Sequence, residues 1–274
     1  MKNLIVSLLF LSTALISVGQ TVDTISIHSK SMNKDIEHVI VLPDGYDKSK
    51  DYPVVYLLHG YGGNHKSWIQ VYPELPELAS FYDFIVVCPN GSNSWYLDAP
   101  ADSTSRYETF ISSELIEYID SAYSTIALPQ GRAITGLSMG GHGAMYNAIK
   151  HQDVFGACGA TSGGVDITPF PGNWGLKNLL GDYSTNKDIW EENSVIFLIN
   201  KIQPTLAIAF DCGDSDFFHN VNEKLHSEMQ YHNIKHEYTV RPGAHNGDYW
   251  NRSIPHHLEF FHQYFLKNAT PNQN

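Results

Sequence analysis

Short runs of β-branched and aliphatic residues recur along the chain, with apolar positions at helical spacing between them. Eight runs, at residues 24–28, 37–42, 54–58, 84–88, 133–136, 156–160, 205–210 and 236–240, read as strands. After the opening pair, the intervening segments are long enough for crossover helices. Leu115, Tyr118, Ile119 and Ala122 follow Ile111 at helical spacing, and Val221, Leu225 and Met229 do so between Asn220 and Asn233. These stripes face a core and carry no chemistry. The pattern predicts an α/β fold whose mostly parallel central sheet of about eight strands is flanked by helices. No repeat and no linker divides residues 20–274, which read as one domain.

One segment breaks the alternation. Residues 166–202 hold Pro169, Pro171, Gly172, Trp174, Gly181 and Trp190 where a single crossover helix would suffice. Either a small insertion after the sixth strand caps the carboxyl edge of the sheet, or an irregular loop leads into an ordinary helix from about Lys187.

The amino terminus carries Lys2 and an apolar run over residues 4–18, with small residues Ser17 and Gly19 at its end. It is shorter than the roughly 20 residues of a membrane span, and reads as a secretory signal over residues 1–19. The product is expected to be secreted or periplasmic, without a membrane span in the mature chain. With 42% hydrophobic and 17% charged residues, the 274-residue chain has the composition of a globular protein. Its 17 Lys and Arg against 29 Asp and Glu give a formal charge of −12, which repels phosphate backbones and argues against nucleic acid as a partner. Cys88, Cys158 and Cys212 each lie at or near the end of a strand-like run. Buried free thiols are expected, a single disulfide being the alternative.

The chemistry concentrates at Gly136-Leu137-Ser138-Met139-Gly140-Gly141, between a strand and a helical run. Glycines two before and two after Ser138 permit a strained turn that exposes its hydroxyl, and the following helix aims its positive end at the same place. A serine hydroxyl also needs a base and a site for oxyanion charge. The glycine-rich turn His59-Gly60-Tyr61-Gly62-Gly63 closes an early strand, so the backbone amides of Tyr61 and Met139 are the candidate oxyanion donors. His59 precedes the serine, and is read as bracing that turn by hydrogen bonds.

In a strand-turn-helix architecture of this kind the acid and the histidine follow the serine. Among ten later histidines only His245 lies in a late strand-to-helix loop, the helix being expected from about Ser253. The acid belongs in Asp211-Cys212-Gly213-Asp214-Ser215-Asp216. Asp211 is still at the strand end, where backbone contacts can hold it. Asp214 and Asp216 both lie past the glycine, and spacing alone does not choose between them. His232 and His236 have a metal-like spacing, but Asn233 ends the helix between them, and HExxH and CxxC motifs do not occur. No metal and no cofactor are expected, and activity should survive EDTA.

Together, Leu57-Leu58-His59-Gly60, Ser94-Trp95-Tyr96, the Ser-Met-Gly-Gly elbow, Asp211-Cys212-Gly213 through Asp216-Phe217, and His245 resemble the putative-esterase (esterase D and feruloyl esterase-like) branch of the α/β-hydrolase superfamily. The resemblance covers nearly all of the mature chain and implies the α/β-hydrolase fold. By matching positions it places the nucleophile on Ser138, the acid on Asp216, the base on His245 and the oxyanion donors on Tyr61 and Met139. His142 departs from the pattern after the paired glycines; it leaves the triad intact and bears on the packing under the elbow.

The resemblance and the export signal point to a secreted serine carboxylesterase acting on short-chain or hydroxycinnamoyl (acetyl, feruloyl) esters of plant cell-wall polysaccharide. Trp95, Tyr96, Trp174 and Trp250 are candidate substrate-stacking residues near the rim. Two alternatives are an acyltransferase like the family's mycolyltransferases and a carbohydrate-binding relative without turnover.

Overall fold

The computed structural model describes residues 21–269; the signal expected over residues 1–19 lies outside the described residues. The strands are β1 (Thr21–Ser29), β2 (Lys34–Leu42), β3 (Val54–Leu58), β4 (Ile85–Pro89), β5 (Arg132–Gly136), β6 (Ala157–Thr161), β7 (Ala207–Gly213) and β8 (Glu237–Arg241). They form one sheet in the order β1-β2-β4-β3-β5-β6-β7-β8. β1 and β2 pair antiparallel, as do β2 and β4, and every later pair is parallel. The parallel strands therefore all end on one edge, where the loops that carry polar residues collect.

The helices are α1 (Ser67–Val71), α2 (Leu75–Tyr82), α3 (Tyr107–Thr109), α4 (Leu115–Ala122), α5 (Met139–Lys150), α6 (Leu176–Leu180), α7 (Lys187–Glu192), α8 (His219–Tyr231) and α9 (Gly247–Ala269). A widened turn, Phe110–Glu114, joins α3 to α4, so the helix predicted from Ile111 starts four residues earlier. α1, α2 and α9 cover one face, where Trp68, Leu75, Leu258 and Phe261 pack on Val55 and Leu57. α4, α5 and α8 cover the other, where Leu115, Met145 and Leu225 pack near Tyr56 and Leu58. Because side chains alternate along β3, consecutive residues feed opposite cores and the whole strand is buried.

Between β6 and β7, residues 162–206 contain α6, α7 and two single 3₁₀ turns, Val195–Phe197 and Ile199–Lys201. α7 has only six residues, so no long crossover helix runs from Lys187. α9 begins at Gly247, six residues before the expected Ser253, and continues through Pro255. All three cysteines are free and buried, in β4, β6 and β7. Among the described residues no helix is long and apolar enough to cross a membrane.

Candidate active site

β5 ends at Gly136 and α5 starts at Met139, so Leu137 and Ser138 make the whole turn. Ser138 sits at φ 56°, ψ −117°, a conformation that costs a non-glycine residue about 1–3 kcal/mol. The turn closes because its neighbours lack side chains: a Cβ on Gly140 would stand 2.2 Å from the Leu58 carbonyl oxygen, and one on Gly136 would stand 2.5 Å from the Gly140 backbone. The Ser138 N–H donates to the Thr161 carbonyl at 3.0 Å, and its own carbonyl accepts from the His142 N–H at 3.0 Å. The backbone is thus fixed, and the hydroxyl projects beyond the strand ends at the start of α5.

His245 Nε2 lies 2.9 Å from Ser138 Oγ. Its Nδ1 lies 2.9 Å and 3.0 Å from the two carboxylate oxygens of Asp216. An ionised carboxylate only accepts, so the imidazole carries its proton on Nδ1 and offers the Nε2 lone pair to the serine hydroxyl. The Asp216 carboxylate is fully buried, and Oδ1 also accepts the Phe218 N–H at 2.8 Å.

Asp214, which spacing could not separate from Asp216, is exposed and does a different job. Its Oδ1 accepts the Gly243 N–H at 3.1 Å, its N–H donates to the Arg241 carbonyl at 3.0 Å, and the next amide, Ser215, donates to the Gly243 carbonyl at 2.9 Å. It pins the acid loop to the histidine loop. Asp211 points into the core, and side chains hold it rather than the expected backbone contacts: Thr161 Oγ1 at 2.9 Å and His257 Nε2 at 3.0 Å.

The loop after β3 runs beside the serine, since a Cβ on Gly60 would lie 3.4 Å from Ser138 Cβ. The neighbouring amides are consumed: Gly62 donates to Asn93 Oδ1 at 2.7 Å, Gly63 to the Gly60 carbonyl at 3.0 Å, and Gly140 to the Leu137 carbonyl at 2.7 Å. Tyr61 and Met139 make no such backbone bond among the described residues. His59 donates from Nδ1 to the Gly60 carbonyl and accepts the Gly91 N–H at Nε2, each at 2.8 Å. Burial lowers its pKa and keeps it neutral for that bracing role, although the Gly60 contact pulls the other way.

Three aromatic rings surround the His245 imidazole: Phe217 at 4.1 Å, Trp250 edge-on at 5.0 Å and Phe218 edge-on at 5.5 Å between centroids. Trp174 stacks on Phe217 at 5.6 Å. Phe217 is 53% exposed; as a candidate substrate contact it was missed by the rim reading, although it directly follows Asp216. Trp95 and Tyr96 correct that reading in the other direction. Both have positive φ, 55° and 59°, which folds the turn inward and buries the two rings completely. Trp95 Nε1 donates to the Trp174 carbonyl at 3.3 Å and the Tyr96 hydroxyl to the His59 carbonyl at 3.1 Å, so both support the rim from beneath.

His142 is buried one turn beyond Ser138, edge-on to Trp95 and stacked on Tyr146. Its Nε2 donates to the Asn193 carbonyl at 2.8 Å, joining α5 to the 162–206 segment. Burial lowers its pKa to about 4. α8 stops before His232, so His232 and His236 both lie in the loop between α8 and β8 rather than on one helix face, and His236 Nε2 instead accepts from His226 Nδ1 at 2.8 Å. Among the described residues no group of three or more His, Cys, Asp or Glu suits a metal ion.

A family described as "Putative esterase" matches residues 29–261. An acetyl esterase from Caldicellulosiruptor saccharolyticus is 29% identical over 262 residues, 86% of this chain and 96% of that protein. An endo-1,4-beta-xylanase/feruloyl esterase from Xylanibacter ruminicola is 32% identical over 156 residues, 52% of this chain but only 22% of that longer protein. Among solved structures, a ferulic acid esterase superposes with a TM-score of 0.79 at 28% identity, covering 90% of this chain and 99% of that one.

Proposed function

Because the chain belongs to the Putative esterase family of the α/β-hydrolase superfamily, we propose that it is a secreted serine carboxylesterase acting on short-chain or hydroxycinnamoyl esters of plant cell-wall polysaccharide through an acyl-enzyme at Ser138. The observation that carries the reading is the 2.9 Å approach of His245 Nε2 to Ser138 Oγ, with Asp216 2.9 Å beyond Nδ1.

The reaction follows from that proton arrangement. As Ser138 Oγ attacks the ester carbonyl, its proton passes to His245 Nε2, and Asp216 stabilises the imidazolium. The carbonyl oxygen becomes an oxyanion, which the N–H groups of Tyr61 and Met139 receive; two such donors lower the barrier by about 3–4 kcal/mol each. His245 then protonates the departing alcohol, leaving an acyl group on Ser138. Water activated by the same imidazole releases the acid by the reverse sequence of proton transfers.

The substrate class rests on the names of the relatives and on the exposed ring of Phe217, backed by Trp174, which offers a face to a planar acyl group or a sugar. Export rests on the apolar run within residues 1–19. A fluorophosphonate probe applied to the parent, Ser138→Ala and His245→Ala proteins tests the chemistry: the parent should label and both variants should not. Methyl ferulate, acetylated xylan and p-nitrophenyl acetate then test the substrate. Turnover of p-nitrophenyl acetate alone would remove the polysaccharide claim, and an unlabelled parent would remove the esterase.

A further inference from the structure

Under the site, on the α9 face of the sheet, six polar side chains from five elements form one buried cluster centred on the Asp211 carboxylate. Asp211 of β7 accepts from Thr161 Oγ1 of β6 on one oxygen. Its other oxygen accepts from Ser253 Oγ and His257 Nε2 of α9, with the Arg241 guanidinium of β8 at 3.3 Å. His257 continues through Nδ1 to Thr135 Oγ1 of β5 at 2.8 Å. The ring reaches that far only because β6 has Gly159 there: a Cβ would stand 2.6 Å from Nδ1. Burial alone would raise the carboxyl pKa, but the hydrogen bonds from His257, Ser253 and Thr161 outweigh it and hold the group ionised.

Buried ions are poor stabilisers; an apolar cluster of the same volume commonly serves as well or better. What an ionic hub supplies is direction, since each donor is held at hydrogen-bond distance along a set line. Every reacting residue sits a short backbone step from a member of this hub. The Thr161 carbonyl takes the Ser138 N–H, and Thr135 lies three residues before Ser138. Asp216 follows Asp211 by five residues, and its loop hangs on the Arg241 carbonyl, four residues before His245.

We infer that Asp211, with His257, is a positioning residue for the reaction: it sets the ends of β5, β6, β7 and β8 relative to one another, so that Ser138, Asp216 and His245 meet. The inference rests on reading those three as the reacting groups.

The test is Asp211→Asn, alone and combined with Asp216→Asn, with kcat counted per mole of folded protein. A shift of reacting atoms by about 1 Å costs roughly 100-fold, so Asp211→Asn should lower kcat by about 10–100-fold with KM within threefold. In the Asp216→Asn background, where the imidazole tautomer already limits the rate, the further loss should be under about threefold. A folded Asp211→Asn protein with parental kcat and a lowered Tm would reduce the hub to a strand tie and overturn the inference, as would an equal loss in both backgrounds. Ser253→Ala, which removes one donor from α9, is the second variant should Asp211→Asn not fold. It should lose about 3–10-fold in kcat, and parental kcat there would equally overturn the inference. Full labelling of Ser138→Ala would instead refute the reading of the reacting groups.

Discussion

Replacing Asp216 by asparagine tests the proton arrangement at constant shape. Oδ1 of residue 216 accepts the Phe218 N–H at 2.8 Å, so an amide there keeps its oxygen on that donor. Its NH₂ group then occupies the position 2.9 Å from His245 Nδ1, where a carboxylate oxygen now sits. The amide oxygen 3.0 Å from Nδ1 is held by the Phe218 N–H, and the nearer NH₂ cannot face a second donor, so the imidazole moves its proton to Nε2 and points N–H at Ser138 Oγ. In that tautomer it cannot take the serine proton. The expected loss is about 10⁴ in kcat, or about 5.5 kcal/mol of barrier, leaving the residual rate due to binding and oxyanion donors. Asp214→Asn is the internal control: its oxygen still accepts from Gly243, and kcat should stay within about threefold because the group is exposed and that bond is kept. Initial rates on p-nitrophenyl acetate and second-order rates of fluorophosphonate labelling measure both. If Asp214→Asn shows the large loss and Asp216→Asn stays within tenfold of the parent, the assignment of the acid and the tautomer argument are both wrong.

Three further outcomes are expected. Gly140→Ala should abolish soluble expression or cost at least about 3 kcal/mol by denaturant titration, because the new methyl meets backbone at 2.2 Å rather than a side chain that can move; a well-folded variant would show that the elbow relaxes easily. His142 has a folded pKa of about 4 against 6.5 unfolded, so below pH 6.5 the unfolded chain binds a proton that the native state refuses, and stability falls as pH drops toward 4. Its share at pH 5 is about 2 kcal/mol, so His142→Phe should lose less stability between pH 7.5 and pH 5 than the parent does, and an unchanged acid slope would count against a neutral buried imidazole. Phe217→Ala should raise KM for methyl ferulate by about 5–30-fold, equivalent to about 1–2 kcal/mol of lost ring contact, with a smaller change for p-nitrophenyl acetate; equal changes on both would remove the ring from substrate recognition.

The strands and the elbow were readable because each depends on local pattern: apolar runs, glycines around Ser138, and helical spacing after them. β7 was read three residues short, ending at Phe210, because Asp211 looks like a loop residue until its partners on β6 and α9 are known. The same blindness applies to Ser253 and His257, which no spacing rule links to residue 211. Asp214 and Asp216 were inseparable because their roles depend on which way a loop turns after Gly213. Trp95 and Tyr96 read as rim aromatics from the sequence, whereas two successive positive φ angles send both rings inward.

The bonds between the acid loop and the histidine loop bear on how the site can breathe. Asp214 and Ser215 are laced to Arg241 and Gly243, whereas Ser138 belongs to a separate strand-helix turn. A fluctuation of these two loops would therefore move the carboxylate and the ring together, with the contact to the hydroxyl the one it stretches first. The imidazole keeps its proton on the same nitrogen throughout such an excursion, and returns already set for the next turnover.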